Sequence, residues 1–184
     1  MDLRVKKTRN SIINAFLQLR AKKPLERITV KELADLAEIN KATFYLHYKD
    51  IYDLSEKLEN ELFERAFNNI EHPNSVLSEP RVFIREFVET FIANQSLIDI
   101  IFGDERRNIL ADKFETEVKR FIFEKNPQYK NSPKMNIVLT YVIKGGYYAY
   151  AENAYYGVDQ VISVIEEMAQ SVVNQLNLEN FVGK

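Results

Sequence analysis

Side chains suited to acid–base or nucleophilic chemistry are sparse in this sequence. There is no cysteine and there are two histidines, His47 and His72. Disulfides, thiolate metal sites, cysteine nucleophiles and a histidine-based metal cluster are therefore excluded. No phosphate-cradling glycine loop and no nucleophile elbow occurs. Carboxylates are plentiful but spread along helix faces among lysines. These residues recommend no enzyme reaction, no metal and no cofactor. What the sequence concentrates instead is positive charge. Residues 1–49 hold 11 Lys and Arg against 5 Asp and Glu, a net of +6, while the remainder holds 14 against 22, a net of −8. A basic head on an acidic body points to a polyanion at one end only, with chance clustering of surface charge as the alternative.

The elements that must present those cations are helical. No strand-like alternation persists anywhere, and an all-α fold is expected. Ile12, Ile13, Phe16, Leu17 and Leu19 have the spacing of one helix face, predicting a helix from about Thr8 to Lys23, which Pro24 helps to end. Lys22 and Lys23 are read as solvated cations suited to its C-terminal dipole. Thr29-Val30-Lys31-Glu32 has the form of a capping box, with Ile28 and Leu33 placed as a hydrophobic staple. A short helix should start at Val30 and bury Val30, Leu33, Ala34 and Ala37. Asn40 is a good N-cap for the next helix. There Phe44 and Tyr48, four apart, turn inward together and leave Lys41, Ala42, Tyr45 and Leu46 outward. Two short helices joined by a tight turn, the second showing a lysine and a tyrosine, describe a helix-turn-helix. The turn has no glycine, so Glu38 or Asn40 must supply any unusual backbone angle. Asp50 should cap a fourth helix, with Asp53 in its first turn, running to about Ile70.

Residues 28–54, ITVKELADLAEINKATFYLHYKDIYDL, resemble the DNA-binding signature of the tetracycline-repressor (TetR) family. The resemblance implies an N-terminal three-helix DNA-binding domain over residues 1–49. A helical ligand-binding and dimerisation domain would follow over 50–184, with the helix at 50–70 connecting the two. It further implies that Lys41 and Ala42 open the recognition helix at base edges, and that Tyr45 follows one turn later. Thr29, Thr43, His47 and Lys49 fall where the family places phosphate-binding groups. The two heads of a homodimer would read half-sites in consecutive major grooves of a near-palindromic DNA operator. The chain also departs from the pattern. Many members carry a second lysine just beyond Lys49, where this sequence has Ile51. Ala42 stands where glycine or proline is common, and it offers a methyl for contact with thymine. The basic arm of Arg4, Lys6, Lys7 and Arg9 is a candidate source of further phosphate contacts.

Beyond residue 70 the sequence reads as helices near Pro80–Ala93, Ser96–Phe102, Glu105–Glu124, Pro133–Tyr156 and Val158–Leu178. Phe83, Phe87 and Phe91 form a stripe at strict four-residue spacing, whose default meaning is packed core. The family resemblance adds a small-molecule effector pocket, for which Phe87, Phe91, Phe102, Phe114, Tyr141, Tyr148 and Glu152 are the candidate lining. Gly145-Gly146 inside a helix costs about 1 kcal/mol per glycine relative to alanine, which close packing against another helix would offset. In the family the last two long helices pair across a two-fold axis. Gly145, Gly146, Val161, Ile165, Met168 and Val172 are the candidate interface, and packing of the same face within one chain is the alternative.

At 184 residues the chain can hold a small head and a larger body. The polar first residues do not read as a signal peptide, and no apolar run approaches the ~20 residues of a membrane span. A soluble, cytoplasmic protein without a membrane partner is therefore expected. The leading functional expectation is a ligand-responsive transcriptional regulator, a repressor by analogy with the family. A dimeric small-molecule-binding protein whose head no longer reads DNA is the alternative.

Overall fold

The computed structural model describes residues 3–103 and 106–176 and is helical throughout, with no strand among the described residues. The helices are α1 (Leu3–Arg20), α2 (Val30–Leu36), α3 (Lys41–Tyr45), α4 (Ile51–Asn68), α5 (Pro80–Ala93), α6 (Gln95–Phe102), α7 (Arg107–Lys125), α8 (Pro133–Asn153) and α9 (Val158–Leu176). None is long and apolar enough to cross a membrane. The chain divides into two compact units. The first comprises Met1–Leu62 together with Ser96–Gly103, and the second Phe63–Gln95 with Asp104–Lys184.

In the first unit α1 packs on α2 and α2 on α3. Ile12, Phe16, Leu33, Phe44 and Leu54 are wholly enclosed, and each such side chain contributes about 1.5–3 kcal/mol by leaving water. α1 begins earlier than its apolar face does, because Arg4, Lys6, Lys7 and Arg9 are good helix formers in their own right. It stops at Arg20 rather than Lys23, since a residue before proline is pushed away from helical angles. Pro24 instead opens a single 3₁₀ turn over Leu25–Arg27.

The helix-turn-helix is closed by side chains and by one unusual backbone angle. Thr29 Oγ1 accepts from the Glu32 amide at 3.2 Å, as the capping box requires. The Glu32 carboxylate turns instead to Lys23 Nζ. Lys23 is thus committed to an ion pair rather than solvated, and only half of the expected reciprocal box forms. At the other end of α2, the amide of Ile39 donates to Ala34 at 3.0 Å and that of Glu38 to Asp35 at 3.3 Å. This is a Schellman closure with Glu38 in the left-handed position, at φ +55°. Asn40 has ordinary extended angles and serves as the cap of α3. Its Oδ1 accepts from the Thr43 amide at 2.7 Å and from the Thr43 hydroxyl at 2.9 Å. Val30 is only half-buried, so Leu33, Ala34 and Ala37 carry the inner face of α2.

In the second unit α5 packs on α9, α7 on α8, and α8 on α9. Pro80 and Pro133 sit in the first turns of α5 and α8, where their missing amide hydrogens cost nothing. α8 ends at Asn153, and Ala154–Tyr156 tighten into a 3₁₀ turn before Gly157, at φ +111°. Glu105, the expected start of a helix, and Leu178, the expected end of another, lie outside the described residues.

Candidate nucleic-acid interface

α3 divides its residues sharply between inside and outside. Phe44 and Tyr48 are buried with ring centroids 5.8 Å apart, anchoring the helix to the first unit. Lys41, Ala42, Tyr45 and Leu46 are all exposed, Tyr45 by 56% and Leu46 by 84%. The face that the sequence assigned outward is therefore outward. Thr29 and Lys49 are exposed as well, while Thr43 and His47 are half-buried. Thr29 and Thr43 each have local bonds, in the caps of α2 and α3.

The chain just after α3 is held by α4. Asp50 Oδ1 accepts from the Asp53 amide at 2.8 Å, the cap expected from sequence. Asp53 reaches back to accept from the Lys49 amide at 2.9 Å and pairs with Lys57 at 2.9 Å. The Lys49 amide and then Lys57 hold the Asp53 carboxyl below its ordinary range. Lys57 also lies 5.0 Å from the centre of the Tyr48 ring and donates to the carbonyl of His47 at 3.3 Å. Sequence reasoning overlooked Lys57, although its four-residue spacing from Asp53 marks a helical ion pair. Ile51, which stands where the family commonly has lysine, is buried in the first unit.

The basic arm is less available than its charge count suggests. Arg9 is drawn into an ion pair with Glu61 of α4. Lys6 and Lys7 are exposed, as is Lys31 on α2.

In the second unit Phe87, Phe91 and Phe114 do come together, but as a packed ring cluster. Phe87 and Phe91 lie 4.8 Å apart and Phe91 and Phe114 4.6 Å, with Phe63, Phe67, Phe83 and Phe121 extending the same cluster. Phe102 belongs to the first unit, where it is buried. Tyr141, Tyr148 and Glu152 are exposed on α8. The expected lining is thus split between a filled core, another unit and an outer helix face. An open groove of about 710 Å³ lies along Glu115, Lys119, Arg120, Phe123 and Lys130, and it includes none of those residues. At its edge, burial pushes the Glu115 carboxyl up. Bonds from Lys119, Thr140 and Lys144 outweigh burial and hold it at about 2.

The candidate interface residues are divided too. A methyl at Gly146 would come within 3.3 Å of Ile165 Cγ2, so these two positions serve close packing of α8 on α9 within one chain. Val161 is buried in its own unit and Val172 is half-buried. Gly145 and Met168 face open space. No family model matches the chain, and no curated protein or solved structure matches it.

Proposed function

We propose that the chain is a sequence-specific DNA-binding transcriptional regulator of the tetracycline-repressor type, acting as a homodimer on a near-palindromic operator. The observation that carries this reading is the exposed row Lys41, Ala42, Tyr45 and Leu46 on a short helix whose other side is anchored by Phe44 and Tyr48. A helix of this kind, preceded by a capped partner at a tight turn and flanked by exposed Lys31 and Lys49, suits the major groove. Phosphate contacts supply affinity in such an arrangement, and the outward side chains select sequence.

The dimer is supported by apolar surface on the last two helices. Ile137, Tyr141 and Tyr148 on α8, with Val164 and Met168 on α9, are exposed in a single chain. Their spacing puts the three α8 residues on one face, the surface a second copy would cover. The effector and the repressing sense of regulation are carried by the family resemblance alone.

Selection of bound duplexes from a random pool, followed by titration across a salt series, tests the reading. A palindromic consensus whose affinity falls steeply with salt is the expected result. Folded protein that enriches no sequence overturns it.

A further inference from the structure

Leu46 has the greatest fractional exposure among the exposed large hydrophobic residues, at 84%. It is the C-cap of α3, and its amide donates to the carbonyl of Ala42 at 3.2 Å, so the two residues lie one helical turn apart. Ala42 is exposed as well. Neither has a role in the fold that would require an apolar side chain, since Phe44 and Tyr48 already provide the anchor. An apolar pair on an exposed helix face, bordered by Lys41 and Lys49, is matched to a partner that presents methyl groups within an anionic frame. The major groove of DNA does this at one base, since thymine alone among the four carries a C5-methyl there.

We propose that Leu46 and Ala42 read thymine C5-methyl groups, and that contact with these methyls contributes to the sequence preference of the half-site. The inference rests on the regulator reading above and names the chemical feature recognised at that same surface. Hydrogen bonding from Lys41 and Tyr45 would select neighbouring positions, while Leu46 and Ala42 select by the presence of a methyl. Leu46 carries the larger share because its side chain is longer and more exposed.

The test uses the full chain and the duplex it selects from a random pool. Each thymine of the half-site is replaced in turn by deoxyuridine, which removes the methyl and leaves every hydrogen-bonding group in place. At one or two positions the wild-type affinity should fall about fourfold, the equivalent of the ~0.8 kcal/mol gained on burying one carbon. Leu46→Ala should bind the thymine duplex more weakly and be indifferent to deoxyuridine at the position that Leu46 reads. Its fold should be unaffected, because the side chain is almost wholly in solvent. Wild type that tolerates every replacement, or Leu46→Ala that keeps the full sensitivity, overturns the proposal and leaves the regulator reading standing. A chain that selects no duplex overturns both.

Discussion

Arg20, the last residue of α1, donates from Nη2 to the carbonyl of Phe102, the last residue of α6, at 3.2 Å. Its Nη1 donates to the carbonyl of Lys23, also at 3.2 Å. One largely buried guanidinium therefore serves carbonyls at or just beyond the C-terminal ends of two helices, where amide partners run out. Gly103 follows at φ +60°, and a methyl there would stand 3.3 Å from Arg20 Nη2. Replacing Arg20 by methionine keeps most of the apolar stem and removes the donors. It should lower stability by about 2 kcal/mol, within the range for hydrogen bonds to charged groups, measured as a fall in the urea midpoint. Gly103→Ala should cost about 1–2 kcal/mol through its left-handed backbone alone.

Glu38 offers the opposite experiment. It occupies the left-handed position of the α2 Schellman closure, and it is the one non-glycine residue among those described with a positive φ. Glu38→Gly should raise stability by ~1 kcal/mol, because glycine accepts that angle without strain. A thermal or urea midpoint that moves down would show that the Glu38 side chain contributes more than the angle costs.

On the proposed reading, Lys41→Ala with Tyr45→Ala should leave the circular dichroism spectrum and the melting temperature unchanged, since both side chains are exposed. Binding to the selected duplex should be lost. If Lys41 meets phosphate, the single Lys41→Ala variant should reduce the salt slope by about one unit and weaken all sequences alike. If it meets a base edge, discrimination should relax at one position while the slope stays.

Met168→Asp, on the exposed face of α9, should yield folded monomers by light scattering at concentrations where the wild type is dimeric. Wild type that remains monomeric at every accessible concentration would contradict the dimer.

The Glu115 cluster predicts a pH response in the second unit. Its carboxyl is held at about 2, below the ordinary value of 4.5, so the folded form binds its proton less readily than the unfolded chain does. The cluster's contribution is therefore complete above 4.5 and is lost as pH falls toward about 2. Glu115→Gln should be less stable than wild type near neutrality and should converge with it as acid is added. A constant gap between the two denaturation curves over that window would refute the assignment.

Much of the first unit was legible because its signals are local. Thr29, Asn40 and Asp50 cap through side chains that reach three residues along the chain, and such short-range bonds are written directly in residue order. The inward pair Phe44 and Tyr48 fixed the outward row in the same way. Long-range choices were not legible. Nothing local tells that Glu32 turns to Lys23, that Arg9 is taken by Glu61, or that Phe102 joins the first unit while Phe91 joins the second. The aromatic stripe carried a period but not a use. The same four-residue spacing serves a wall around a ligand and a stack of rings, and only the partners from α4 and α7 decide between them.

The split of α3 between buried anchors and exposed neighbours has an evolutionary consequence. Changes at positions 41, 42, 45 and 46 touch no core contact, so each should alter stability by less than about 0.5 kcal/mol. Descendants of this gene could exchange those four residues freely while Phe44, Tyr48 and the caps stay fixed. A duplicated copy could thus drift toward new targets through viable intermediates, without first accumulating stabilising changes elsewhere.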